Sequence, residues 1–208
     1  MSKPSDISLI LVSAAGTGWD ETGRLLGQAS INATDLSLTA LHETARDLAG
    51  SIGQSVDLVM CGTEDSSKAS GSLLSEAVGC KLKSLDTLAN LDLGLWEGAL
   101  RDELEGRCPS SYKAWRDHPE SIRPPEGESL AEALDRAFAG IRKATEKLKS
   151  KEPCVIVVCR SMLWAGLLTR LGMEPWGSYW SLAGETGQTR TLRCSFEDLM
   201  PKTASASA

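Results

Sequence analysis

The stretch CVIVVCRSMLWAGLLTRLG, residues 154–172, decides the fold. Its first part, residues 154–159, is wholly apolar, which predicts a strand buried on both faces of a sheet. The segment that follows, residues 162–171, is predicted to be a helix that ends at Gly172, because glycine is a common helix stop. A buried strand that runs directly into a helix is typical of a parallel sheet covered by helices.

The same alternation of strand and helix extends over the rest of the chain. Further strands are predicted at residues 7–12, 56–61, 82–85, 179–182 and 189–196, and further helices at residues 38–49, 67–78 and 129–149. We therefore predict an α/β fold, a three-layer α/β/α sandwich with a mainly parallel sheet. We expect one domain over residues 1–200, a loop-rich insertion at about residues 86–128 and a mobile tail at residues 201–208.

Composition and charge exclude several classes of function. The chain has 208 residues, 22 Lys and Arg against 28 Asp and Glu, and a net charge of −6, which argues against nonspecific nucleic-acid binding and docking on anionic membranes. No apolar run is long enough to span a bilayer, and residues 1–6 lack the order of a signal peptide, so a cytoplasmic protein is expected. The six cysteines are scattered and the histidines number two, so we expect no metal site and no cofactor.

Sheets of this class place their sites at the carboxyl ends of the strands. The residues of interest therefore follow Val12, Met60 and Val158. After the first of these comes the small-residue run SAAG, residues 13–16, and after the last comes Arg160.

Five motifs in order carry a resemblance to a known family. They are TGWDETGRLLGQ after the first strand (17–28), the pair Leu38-Thr39, LDLGLWEG (91–98), AWRDHPESIRPPEGESL (114–130) and VIVVCRSMLWAGLLTRLG (155–172). Together they resemble the histidine phosphatase superfamily, the phosphoglycerate-mutase-like proteins. The resemblance runs from about residue 7 to residue 172. It implies a phosphoglycerate-mutase-like sandwich and a site for phosphoesters.

The family's chemistry uses a histidine that attacks phosphorus, a second histidine and two arginines that hold the phosphoryl oxygens, and a carboxylic acid that protonates the leaving group. By position, the first arginine falls on Ser13, the nucleophile on Ala14, the second arginine on or beside Ser66, the acid on Asn90 and the second histidine on Arg160. None of these residues supplies the family's group. The resemblance therefore implies a degenerate member that lacks the catalytic residues.

We expect such a protein to act by binding, either a protein partner or a small anionic ligand, and a family-like homodimer is one further expectation. Arg160 is the candidate anion ligand, and the neutral groups that surround such a ligand are Ser13, Thr17, Ser66, Asn90 and Ser161. The structural alternative is that Arg160 fills the space of the missing histidines and pairs with Glu97, Asp92 or Glu128.

Two alternatives remain enzymatic. A phosphatase or mutase with substitute residues needs a nucleophile, for which Cys61, Cys159, His118 or a water molecule are the candidates. A thiol-based redox protein would use Cys61 and Cys159, which follow neighbouring strands in the family fold. The interpretation of both thiols as buried and inert is favoured over this one. Trp176 and Trp180, near the last strand, suit either a protein interface or the rim of a ligand groove.

Overall fold

A computed structural model describes residues 6–120 and 123–200 of the chain. Within them, one sheet has the strand order β3-β2-β4-β1-β5. The strands are β1 (Asp6–Ser13), β2 (Leu58–Cys61), β3 (Leu82–Ser84), β4 (Cys154–Cys159) and β5 (Thr189–Ser195). The first four are parallel to their neighbours, and β5 pairs antiparallel with β1 at the edge. The predicted α/β fold with a mainly parallel sheet is confirmed.

Helices cover both faces of this sheet. They are α1 (Gly18–Glu21), α2 (Asp35–Ser51), α3 (Asp65–Val78), α4 (Arg101–Arg107), α5 (Pro109–Asp117), α6 (Leu130–Thr145), α7 (Ser161–Arg170) and α8 (Tyr179–Leu182). Short 3₁₀ turns lie at Asp86–Leu88, Gly94–Trp96 and Trp176–Ser178. The predicted insertion at residues 86–128 therefore contains two of these turns and two short helices. No helix in the described part of the chain is long and apolar enough to cross a membrane.

The central strands are apolar throughout because both of their faces are covered. In β1, Leu9 and Leu11 join a core with α6 and α7, whereas Ile10 and Val12 join a second core with α2 and α3. Successive side chains of a strand point to opposite faces, so each face receives every second residue. The predicted three layers follow from this arrangement.

The prediction of a strand at residues 179–182 is wrong, because these residues form α8. Tyr179 and Leu182 are its buried side chains, and a spacing of three residues brings them to one face of a helix but to opposite faces of a strand. The helix predicted at residues 129–149 is shorter, and Ser129 caps its N-terminus in a capping box with Glu132. The predicted mobile tail, residues 201–208, lies outside the described residues.

Candidate functional site

The carboxyl ends of β1, β2 and β4 lie side by side because these strands are parallel neighbours. Backbone hydrogen bonds tie the loops that follow them: the N–H of Ala14 donates to the carbonyl of Cys159 at 2.9 Å, and the N–H of Gly62 donates to that of Val158 at 3.1 Å. The sequence predicted this edge of the sheet as the place of the site. We call the group formed there by Ala14, Asp20, Glu64, Asn90 and Arg160 the strand-end site.

Arg160 is the central charge of the strand-end site. It lies between β4 and α7, and only 1% of it is exposed. Its Nη2 donates to both carboxylate oxygens of Asp20, at 2.7 and 2.8 Å. Its Nη1 donates to the carbonyl of Ala15 at 3.1 Å and lies 3.5 Å from Ser66 Oγ. Arg160 is therefore anchored by a carboxylate and a carbonyl of the same chain.

Asp20 owes its position to the local structure of α1. Thr17 caps this short helix, and its backbone N–H and hydroxyl both donate to Asp20 Oδ2, at 2.6 and 2.8 Å. Burial raises the pKa of Asp20, but the charge and hydrogen bonds of Arg160, with the bonds from Thr17, outweigh burial and hold the pKa below its ordinary value. Thr17 thus fixes the position of the carboxylate, and Arg160 with Thr17 favours its ionised form.

The structural alternative for Arg160 was an internal ion pair with Glu97, Asp92 or Glu128; the internal pair is present, but its partner is Asp20, and the three carboxylates named are engaged elsewhere. Glu97 accepts the backbone N–H groups of residues 27 and 28, and Asp92 accepts that of Gly94. Glu128 forms an ion pair with Arg136. The sequence signal that points to Asp20 is the pattern Thr17-x-x-Asp20, which is typical of a capping box beside the first strand.

The candidate neutral ligands are mostly committed to internal contacts. Ser13 Oγ accepts a backbone N–H from the residue before β5, at 3.1 Å. Thr17 is fully buried and caps α1, and Ser161 is buried at the start of α7. Ser66 is buried on α3 and is the one of these four whose hydroxyl approaches Arg160. The structure therefore brings Ser66 and Arg160 together.

Asn90, where the resemblance places the family's acid, is held by hydrogen bonds within the chain. Its Nδ2 donates to the carbonyl of Leu26 at 2.7 Å, and its Oδ1 accepts the N–H of Leu163 at 3.1 Å. Its backbone N–H donates to Glu64 Oε1. Both ends of the amide are occupied, which leaves Asn90 little capacity for a ligand.

Glu64, like Asp20, is a residue of the strand-end site that the sequence analysis missed. It precedes α3 and is 3% exposed, yet its Oε2 is buried with no hydrogen-bond partner among the described residues. Each arginine near this end of the sheet has its own carboxylate, Arg160 with Asp20 and Arg136 with Glu128. Glu64 forms no ion pair with any Lys, Arg or His side chain of the described residues.

The two candidate thiols point to opposite faces of the sheet. Cys61 belongs to the core under α2 and α3, whereas Cys159 belongs to the core under α6 and α7. Both are buried and free. Burial raises the pKa of each thiol, and Glu64 raises that of Cys159 further. These positions separate the thiols and favour their protonated forms.

Neither histidine of the chain is among the buried groups of the strand-end site. His42 is exposed on α2. His118 follows α5, its side chain is 71% exposed, and its Nδ1 lies 3.6 Å from Glu120 Oε1. Within residues 6–120 and 123–200, no group of three or more His, Cys, Asp and Glu side chains is placed to hold a metal ion.

Comparisons with known proteins agree with this architecture. The sequence model described as histidine phosphatase superfamily (branch 1) matches residues 9–200. Phosphoserine phosphatase 1 of Hydrogenobacter thermophilus is 22% identical over 175 residues, which is 84% of this chain and 81% of that protein. Acid phosphatase of Mycobacterium tuberculosis is 27% identical over 166 residues, 78% of this chain and 74% of the other.

A solved structure gives the same result for the fold. The mycobacterial glucosyl-3-phosphoglycerate phosphatase in complex with VO3 superposes with a TM-score of 0.75 at 19% identity. The match covers 89% of this chain and 92% of that one. At this identity, the likeness shows a shared fold.

Proposed function

Because the chain belongs to the histidine phosphatase superfamily, we propose that it is a member that binds a protein partner and does not transfer phosphoryl groups. The observation that carries this proposal is the ion pair of Arg160 with Asp20. It stands where the resemblance places the second histidine, beside an alanine at the position of the nucleophile. Relatives of the chain are named as phosphatases and mutases, so this function separates it from them.

The first argument concerns the nucleophile. Ala14 is 1% exposed and carries a methyl group, which can neither attack phosphorus nor relay a proton. Loss of a catalytic nucleophile lowers turnover by about a million-fold in a well-studied hydrolase. The fold tolerates such a loss, because a scaffold and the site on it are separable.

The second argument concerns charge. A phosphate dianion at Arg160 would have to displace Asp20 from that guanidinium. Like charges in a buried site repel strongly, and each arginine here is already paired. This charge distribution disfavours a small anionic ligand at the strand-end site and leaves a protein partner as the binding function that we propose.

A second candidate is phosphoester hydrolysis with substitute groups, and the names of the relatives favour it. Phosphoserine phosphatase 1 and acid phosphatase both act on phosphoesters by name. In the strand-end site, Glu64 Oε2 is the group with free capacity to take a proton from an attacking water molecule. On this route Arg160 would have to release Asp20 in order to hold the phosphoryl oxygens.

A turnover assay tests the two candidates against each other. Phosphoserine, 3-phosphoglycerate and p-nitrophenyl phosphate are incubated with the wild type, with Glu64→Gln and with the control Glu76→Gln, which changes an exposed carboxylate of α3. We expect no hydrolysis above background from any of them. Hydrolysis by the wild type and by Glu76→Gln that is lost in Glu64→Gln would overturn the proposal and establish the second candidate.

A further inference from the structure

A separate pocket of about 140 Å³ opens among α4, α5 and α8. Its lining residues are Arg101, Tyr112, Trp115, Arg116 and Trp180. It shares none of them with the strand-end site, and nothing in the proposed binding function uses it. Three aromatic rings beside two guanidinium groups are an unusual lining for a surface pocket that has no task.

The aromatic wall of this pocket is fixed before any ligand arrives. The rings of Trp115 and Trp180 meet edge to face, with centroids 4.4 Å apart and an interplanar angle of 70°. Trp180 Nε1 donates to the carbonyl of Arg116 at 2.8 Å, and Tyr112 lies 6.3 Å from Trp115. Preformed aromatic walls bind a flat ring at little entropic cost.

The two arginines of the pocket differ in how their charge is compensated. Arg116 lies 3.8 Å from Glu105 and 3.4 Å from Asp117. Arg101 has no ion pair with a carboxylate of the described residues, and its Nε is buried without a hydrogen-bond partner. Tyr179 does not line the pocket; it is 1% exposed, its ring meets that of Trp180 edge to face, and its hydroxyl also lacks a partner among the described residues. A buried donor without an acceptor is costly, and an anion would satisfy it.

We infer that this pocket binds a small aryl carboxylate, with the ring against Trp115 and Trp180 and the carboxylate on Arg101. The volume suits one six-membered ring, since an apolar cavity of about 150 Å³ binds benzene. The ring supplies apolar contact with the indoles, and the carboxylate supplies the charge that Arg101 lacks. Neither a bare inorganic anion nor a neutral ring meets both demands.

Three probes separate the two demands: benzoate, its neutral analogue benzamide, and acetate, which keeps the charge without the ring. Binding is followed by two-dimensional ¹H–¹⁵N spectra of the indole N–H groups, with the Trp180 signal assigned from Trp180→Phe. We expect benzoate to shift the Trp115 and Trp180 signals in a saturable way. Benzamide and acetate should bind about tenfold or more weakly, since each loses one type of contact.

Two variants test the role of Arg101. Arg101→Gln should lower the affinity for benzoate about tenfold and leave the affinity for benzamide unchanged, because the substitution removes the charge and keeps an amide donor. Arg107→Gln, at the exposed end of the same helix, is the matched control and should leave both unchanged. Equal affinity for benzoate and benzamide, retention of benzoate binding in Arg101→Gln, or no indole shift at tens of millimolar benzoate would each overturn the inference.

Discussion

Nη2 of Arg160 lies 2.7 Å from one carboxylate oxygen of Asp20 and 2.8 Å from the other, so an anion of the chain itself occupies the guanidinium. A carboxylate at this distance makes charge-assisted hydrogen bonds of the kind that a phosphoryl oxygen would make. The pair joins β4 to α1 across the carboxyl end of the sheet. We expect the pair to hinder the binding of an external anion at Arg160, because Asp20 already accepts from its Nη2.

Removal of that carboxylate should create an anion site. We expect Asp20→Ala to bind phosphate, because Arg160 then keeps its charge and loses its internal partner. Phosphate at a hundred times its dissociation constant would stabilise the variant by about 2.7 kcal/mol. Thermal unfolding at constant ionic strength, with and without phosphate, measures this gain.

The controls for this gain are Glu21→Ala, which changes the exposed neighbour of Asp20, and the double variant Asp20→Ala/Arg160→Met. Neither should respond to phosphate. Stabilisation of the wild type by phosphate to the same extent as Asp20→Ala would show that Asp20 does not exclude the anion.

The same pair predicts a dependence of stability on pH. The pKa of Asp20 is lowered below 3.8 in the folded chain, because Arg160 and Thr17 outweigh its burial. Such a group stabilises the fold above its unfolded pKa, and this stabilisation is lost as the pH falls through the folded pKa. The difference in unfolding free energy between the wild type and Asp20→Asn should therefore be constant above about pH 5 and shrink below it.

Urea titrations over this pH range measure that difference. Asp47→Asn, which changes an exposed carboxyl of α2, should show no comparable trend. A difference that grows on acidification would contradict the assigned role of Asp20.

Thiol labelling should follow burial. We expect iodoacetamide to modify the half-buried Cys108 and Cys80 in the native protein, and to leave Cys61 and Cys159 unmodified until the chain unfolds. The reason is that Cys61 and Cys159 are buried from the reagent, and burial also raises the pKa of both thiols. Peptide mapping by mass spectrometry identifies the sites. Rapid native labelling of Cys159 would instead favour the thiol-based alternative.

A pair of glycine substitutions tests the loop beside the strand-end site. Gly94 has φ of +49°, and a Cβ there would lie 2.2 Å from the carbonyl oxygen of Pro125. Gly94→Ala should therefore cost about 2 kcal/mol or more in unfolding free energy. Gly106, inside α4, has no atom within 4 Å of such a Cβ, and Gly106→Ala should stabilise by about 0.5–1 kcal/mol. Urea unfolding measures both, and equal effects would contradict the close approach at Gly94.

The central strands were predictable because they are buried on both faces. Neighbouring residues such as Ile156 and Val157 face different cores, so the strand is an unbroken apolar run. The short helix at residues 179–182 was not predictable, because a segment of four residues is too short for its sequence to distinguish the helical period from the strand period. The three-residue spacing of the buried Tyr179 and Leu182 fits a helix. Tertiary packing determines which of these four side chains are buried, and the sequence alone does not show it.

For the strand-end site, the order of strands and motifs was enough to place Arg160. Its partner was not predictable in the same way, because Asp20 lies 140 residues away and only the folded loops bring the two together. Glu64 was missed for a different reason. An acidic residue before a helix is typical of an exposed N-terminus, and its burial depends on Asn90, which arrives from another loop.

The Arg160–Asp20 contact also restricts which single substitutions the chain can accept. A change of Asp20 alone leaves the buried guanidinium of Arg160 without its carboxylate. A change of Arg160 alone leaves the carboxylate of Asp20, which Thr17 holds in place, without its cation. We therefore expect a change of either residue alone to cost more stability than a change of both together. The ion pair thus couples the substitutions that positions 20 and 160 can accept.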